Sequence, residues 1–244
     1  SQCKQIPLFI TLKEHFNINV VRMSTDTCTK AKLIDKSETV DALAMIINYF
    51  YAVKYEFLWL FDQKKREKII AAKGIEQLES IFLHIRFETR HPVQELETKI
   101  LSRLSEIVSL SETDLRNRFG IQAAWDRLPD IKQDSNRYVA RHLPVKVNFL
   151  KKMGQNDLQK QDIEKYFKLL APIEHKRWMS EKLVYKFRYG AFPEKDKKLK
   201  SLLKDTLKIH DQIIPYNDLD KEMEDKDFNM FLLIPVLEQI REKH

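Results

Sequence analysis

The chain has 244 residues, 43 of them basic and 36 acidic, for a formal charge of +7. Hydrophobic residues make up 43% and charged residues 32%, a balance that excludes both an integral membrane protein and a disordered chain. Only four glycines occur, at 74, 120, 154 and 190, too scattered for a dinucleotide fingerprint or a P-loop. Cys3 and Cys28 form no CxxC pair, so a four-cysteine zinc site is excluded. So few cysteines suit a reducing cytosol. The first residue is Ser1, which reads as the start of a fragment of a larger protein.

Two short β-prone runs come first, Ile6–Ile10 and Ile18–Met23. They form either the tail of a sheet domain upstream of residue 35 or a hairpin packed on helices. Asp35 with Glu38 has capping-box spacing. Val40, Leu43, Ile46, Ile47 and Phe50 then recur at helical spacing. Within 40–61 lie Asp41, Asn48, Lys54 and Glu56, so this apolar stretch reads as a buried helix and not a bilayer span. A helical pattern over 62–88 has Gly74 as its break. Pro92 suits the first turn of the next helix, whose stripe is Leu96, Ile100, Leu104, Ile107 and Val108. Ser111 and Asp114 open a short helix ending near Gly120. Trp125–Pro129 reads as a turn with an aromatic anchor, and helix resumes over 131–142 until Pro144 kinks or ends it.

Gly154–Asp157 is the best internal boundary, with turn residues and no apolar period. Beyond it, 160–170 reads as helix and Pro172 as the start of another, closed by Arg188-Tyr189-Gly190 with Gly190 in the left-handed region. The stretch 191–209 is lysine-rich and reads as a loop. A last helix is expected over about 225–243, bent by Pro235.

The run Glu174-His175-Lys-Arg-Trp178, continuing to Arg188-Tyr189-Gly190, is followed by Ile213-Ile214-Pro215-Tyr216-Asn217-Asp218-Leu219, then Lys226-Asp227 and Pro235. This series resembles the RyR domain, the small helical repeat of ryanodine receptors that is also found in bacterial proteins. His175 and Trp178 match the family's His and Trp, and Glu181-Lys182 its acid–base pair. Arg188, Tyr189 and Gly190 match its closing turn, and Pro215-Tyr216 its proline–aromatic step. Phe187 stands where the family usually has Trp, and the 191–209 stretch lacks its arginine run. The likeness covers about a third of the chain. A second block, Trp125–Pro129 and Ser135-Asn136-Arg137 with His142 and Lys146, resembles the helical segment preceding the RyR domain in bacterial proteins. Asp41-Ala-Leu-Ala44 resembles their joining helix. Those proteins often carry an upstream nucleotide-binding domain of the Trk potassium-uptake type, whose last strands residues 1–34 would then be.

The expected fold is mainly α. A helical region with a strand element spans 1–155, and an RyR-like domain spans 156–244. The resemblance implies a non-catalytic sensing or docking module of a bacterial cytoplasmic protein. Its groove would hold a small, nucleotide-derived ligand or a protein partner, with no cofactor or metal. The candidate binding residues are His175, Trp178, Lys182, Arg188, Tyr189, Pro215 and Tyr216. His175 and Trp178 lie at i, i+3 on one helix face. They can wall a ligand, or they can be structural, with Trp buried and His bonded to a backbone carbonyl.

Two other classes stay open. Arg137 and His142 have the spacing of the HEPN ribonuclease motif, in which Arg and His act on the RNA phosphodiester. A pure oligomerisation scaffold is the other. Residues 186–208 carry eight bases and three acids, and 211–227 seven acids and two bases, so the two lips could join copies. Nucleic acid is a weak prospect for +7 spread over the whole length.

Overall fold

The computed structural model describes residues 38–154, 160–191, 197–219 and 230–243. The β-prone runs within 6–34, both cysteines, the Asp35 cap and the Lys226-Asp227 pair lie outside these residues. The described chain is mainly α-helical, with one pair of short parallel strands. Its residues group into two units. The larger holds 38–164 and 230–243, the smaller 165–219.

In the larger unit, helix α1 (Glu38–Tyr51) is the central element. Leu43, Ile46, Ile47 and Phe50 recur at helical spacing and are buried. A π-helical turn over Ala52–Glu56 leads into α2 (Phe57–Leu60). Its wider turn keeps Ala52, Val53 and Phe57 on the core side.

Helices α3 (Gln63–Ala71) and α4 (Gly74–His84) divide where the sequence placed a break. The left-handed residue is Lys73, at φ 49°, and not the glycine. Gly74 serves close approach instead. A Cβ there would lie 3.0 Å from Ile69 Cγ2 and 3.1 Å from Ile107 Cδ1.

Helix α5 (Pro92–Val108) starts on its proline and buries Leu96, Ile100, Leu104 and Val108, as their spacing requires. Ser111 Oγ accepts from Asp114 N at 3.1 Å and caps α6 (Glu112–Phe119). Trp125 lies inside a helix, α7 (Ile121–Asp126), and not in the turn that the sequence suggested. The turn falls just after it, where Leu128 N donates to Trp125 O. Helices α8 (Asp130–Arg141) and α9 (Leu143–Lys152) meet at Pro144, which occupies the first turn of α9.

The final helix, α12 (Ile234–Lys243), packs on α1, α4, α5 and α9. Residues 230–232 are helical too, and the path is interrupted at Leu233, so Pro235 in the first turn of α12 follows a break in the expected helix and not a bend within it. By sequence this segment belonged to the C-terminal domain. Its contacts put it in the larger unit, because Phe231, Leu233, Ile234, Val236, Leu237 and Ile240 are all buried and need a large apolar core. Lys243 Nζ closes the helix end by donating to Phe87 O (2.8 Å) and Thr89 O (2.9 Å).

The smaller unit is carried by α10, an unbroken helix over Lys160–Val184 with Pro172 inside it. The expected restart at Pro172 does not occur. After α10 the left-handed residue is Lys186, at φ 64°, and not Gly190. Strand β1 (Arg188–Tyr189) follows. Lysine-rich 197–207, read from sequence as loop, is helix α11 (Lys197–Leu207). Strand β2 (Ile209–His210) then pairs in parallel with β1, with Arg188 opposite Ile209 and Tyr189 opposite His210. Gly190 is required here because a Cβ would fall 2.5 Å from Ile209 Cγ2. A single 3-10 turn, Tyr216–Asp218, ends the described part of this unit.

Candidate functional site

Three of the expected site residues, His175, Trp178 and Lys182, follow at i, i+3 and i+7 on α10 and therefore share a face. The His175 and Trp178 rings stack with centroids 5.5 Å apart. His175 Nε2 donates to Ile214 O at 2.8 Å, and Tyr216 lies edge-on to the imidazole at 6.0 Å. This bond fastens the 213–216 segment to α10 across a sequence gap that no local propensity could bridge. Burial pushes the His175 pKa down, opposed by the bond to the Ile214 carbonyl and the Glu174 charge. A neutral ring that donates from Nε2 is the outcome.

Trp178 also meets a residue that sequence reasoning did not single out. The His210 ring stands at 79° to the indole, 4.9 Å away. Its Nδ1 accepts from Gln212 N at 3.2 Å and lies 3.4 Å from Asp211 Oδ1. No local signal marks His210, because the strand pairing that brings it to Trp178 is set by a distant segment. Trp178 itself is only partly buried.

Lys182 Nζ lies 5.7 Å from the Trp178 centroid and 5.6 Å from that of Phe187. On Phe187 it is joined by Lys208, at 4.7 Å. Beneath these rings runs a ladder of buried charge. Arg177 donates from Nε to Glu174 at 2.7 Å and from Nη1 to Glu181 at 2.8 Å. Lys182 Nζ donates to the second Glu181 oxygen at 3.0 Å. The Glu174 and Glu181 side chains are 4% and 1% exposed. Burial pulls the Arg177 pKa down, but the two carboxylates outweigh it and hold the guanidinium charged. The i, i+3, i+7 run of Glu174, Arg177 and Glu181 was the available sequence signal for this network.

Arg188 and Tyr189 are placed differently. Both are exposed strand residues, and the described contacts do not tie their side chains to the rings. The Arg188 backbone N donates to Lys208 O at 2.8 Å. Arg188 therefore does not cap a helix, as its expected position at the end of α10 implied. Pro215 is exposed and sets up the turn that presents Tyr216. Asp211 pins α11 to the strand pair, accepting from Lys204 at 2.5 Å and pairing with Lys200 at 3.0 Å. Burial raises its pKa, but the two lysines prevail and bring it down to about 2.

The second candidate constellation lies in the larger unit. Arg137 Nε donates to Asp41 at 2.5 Å and Nη1 to Asp134 at 2.9 Å. The guanidinium lies 5.1 Å from the Trp125 centroid. Asp41, Trp125 and Arg137 were separate sequence blocks, and one ion pair over one ring joins them. His142 ends α8 and begins α9, where its carbonyl accepts from Lys146 N.

An open groove of about 440 Å³ lies far from the aromatic cluster in sequence, lined by Ile81, Thr98, Lys99, Ser102, Arg103 and Glu106. Its cations are already matched. Lys99 pairs with Glu95 at 2.9 Å, Arg103 donates to Gln77 Oε1 at 2.7 Å, and Arg103 also pairs with Glu106. Among the described residues no group of three or more His, Cys, Asp or Glu is placed to hold a metal. None of their helices is long and apolar enough to cross a membrane. No family model, curated protein or solved structure matches the chain.

Proposed function

We propose that the smaller unit is an RyR-like sensing or docking module and that Trp178 is the centre of its binding surface. One observation carries this reading. The indole is walled by His175 and approached by Lys182 from its own helix, and met by His210 from the distant strand, yet it is not fully buried. A flat ring flanked by imidazoles and cations suits a ligand that is aromatic at one end and anionic at the other. A small nucleotide-derived ligand has that chemistry. Lys208 adds positive charge beside Phe187, and Arg188 and Tyr189 stand exposed on the adjoining strand. His175 works as a positioning residue, since its Nε2 is committed to Ile214. The setting would be a larger cytoplasmic protein of bacterial type.

The test is thermal shift of the purified chain against mono-, di- and cyclic nucleotides at fixed salt. A ligand held only by the folded state raises the melting point with its concentration. The expected result is a dose-dependent rise that Trp178→Ala abolishes. A folded Trp178→Ala variant that still shifts, or no shift across the panel, would overturn the assignment.

The ribonuclease alternative gains no support from the geometry. Arg137 is buried and its guanidinium is taken by two carboxylates and the Trp125 face, which leaves it poorly placed for a phosphodiester.

A further inference from the structure

Three arginines converge on the Leu60–Phe61 turn of the larger unit. Arg66 on α3 donates from Nη2 to Phe61 O at 3.2 Å, and Arg118 on α6 donates from Nη2 to Leu60 O. Arg127, just past α7, donates from Nη1 to Arg118 O at 2.7 Å. Phe61 stacks on Phe119 at 4.4 Å, and the Arg118 guanidinium lies 5.3 Å from the same Phe119 ring. Carbonyls and rings thus hold all three arginines, and among the described residues none of the three meets a carboxylate. A carbonyl orients a guanidinium without cancelling its charge and leaves most of its five N–H donors unused. Other cations of this unit are matched: Lys54 by Glu79, Lys99 by Glu95, Arg116 by Glu97 and Arg137 by Asp41. Beside the three stands Trp59, 67% exposed, with the Arg66 guanidinium 5.0 Å from its centroid. A tryptophan so open is unusual, since the indole is among the largest apolar groups a side chain can bury.

We propose that this turn is a binding site for single-stranded nucleic acid, with a base stacked on Trp59 and the adjoining phosphates at Arg118 and Arg127. Two arguments select this occupant. The first is charge. Guanidiniums that no carboxylate neutralises suit a polyanion, and phosphate is an anion they can grip in two places. Arg118 and Arg127 are both exposed and open to it. The second is the ring. Every base offers a flat π-face to an indole, and a base freed from its partner strand can reach that indole while one inside a duplex cannot. An acidic protein segment would satisfy the charge and leave Trp59 without a flat partner. Arg66 is a positioning residue, since it lies against the indole and is tied to Phe61 O. The modest net charge of +7 is no obstacle, because the field at a site follows the local excess and not the total. The site lies in the larger unit and does not rest on the Trp178 reading.

The experiment is fluorescence anisotropy of a labelled oligothymidine with the full chain at low and high salt, beside its duplex with oligoadenosine. The expected result is binding of the single strand at low salt, weaker binding of the duplex, and release of both by salt. Trp59→Ala removes an already exposed side chain, so the fold should survive, as circular dichroism would check. It should raise the Kd about tenfold. Trp59→Phe keeps a ring and should retain most of the affinity. Arg118→Gln with Arg127→Gln should weaken binding and lower the slope of log Kd against log salt by about 1. Trp178→Ala should leave the Kd unchanged, which separates this site from the surface in the smaller unit. No binding of the single strand at low salt would overturn the proposal. So would equal affinity in wild type and Trp59→Ala, which would mean charge attraction alone. A loss in Trp178→Ala as large as that in Trp59→Ala would also overturn it, by placing the strand on the smaller unit.

Discussion

The two units are held together by different physics. In the larger one, the aromatic rings around α1 dominate the core, with polar exceptions in Asn48 and the Asp41–Arg137 pair. Tyr49 and Phe50 both touch Phe82, at 5.6 and 5.4 Å, and Phe57 and Phe61 both touch Phe119, at 5.1 and 4.4 Å. In the smaller unit the buried face of α10 carries Glu174, His175, Glu181 and Lys182 beside Leu170, Ala171 and Met179. An apolar core tolerates any arrangement that fills space. A buried charge ladder tolerates very few, since each group left unpaired loses its hydration with nothing in return. The larger unit therefore leans on its aromatic cluster, and the α10 face of the smaller unit on matched charge, although the larger unit also buries Arg137 against Asp41 and Asp134.

The widest gap between the two should appear on truncation. Phe82→Ala removes a fully buried ring from the aromatic cluster and should destabilise the larger unit by about 4 kcal/mol, read as a fall in denaturant midpoint at unchanged slope. Arg177→Met keeps the volume but leaves Glu174 without the guanidinium and Glu181 with Lys182 in its place. It should cost the smaller unit about 3 kcal/mol. Replacing all three, with Glu174→Gln and Glu181→Gln added, should recover part of that loss. If Arg177→Met alone is neutral, the ladder is ornamental and the contrast fails.

The third test is one of pH. Folding lowers the His175 pKa from its ordinary value of about 6.5, mainly through burial. The unfolded chain then binds the proton more readily than the folded one. The stability from His175 is complete above about pH 6.5 and is lost as the pH falls below it. His175→Asn should flatten this dependence and cost about 1 kcal/mol at neutral pH through the lost bond to Ile214 O. Phe82→Ala should leave the slope unchanged, which separates the two units by a second measure. A pH profile identical in wild type and His175→Asn would remove the ring from this account.

Much of the bundle was legible because its rules are local. The four-residue spacing of Leu96, Ile100, Leu104 and Val108, the proline at 92 and the cap at Ser111 each depend on neighbours within a turn or two. Pro172 broke that pattern of success. A proline inside a helix forfeits one backbone bond and crowds the preceding turn, about 3 kcal/mol from local considerations. Buried Leu170 and Ala171 on one side and the Glu174–Arg177–Glu181 ladder on the other offset it, and both depend on what α10 packs against. The lysine-rich stretch 197–207 was misread for the opposite reason. Its leucines do follow a helical period, but the density of charge drew the reading toward loop.

The candidate site divides along the same line. The sequence by itself determined that His175, Trp178 and Lys182 share a face, because a helix fixes the angle between residues three and seven apart. It also determined that Asp41 and Arg137 were available to pair, though not that they do. Only the tertiary structure decided that His210 stands against Trp178, that Ile214 O receives the imidazole proton, and that Arg188 and Tyr189 lie on a strand and not at a helix end. Those contacts join residues more than thirty positions apart, or rest on a strand pairing that a distant segment supplies. Spacing along a chain carries no information about such pairings, because the free energy that selects them comes from burial and charge matching between segments and not from the segments themselves.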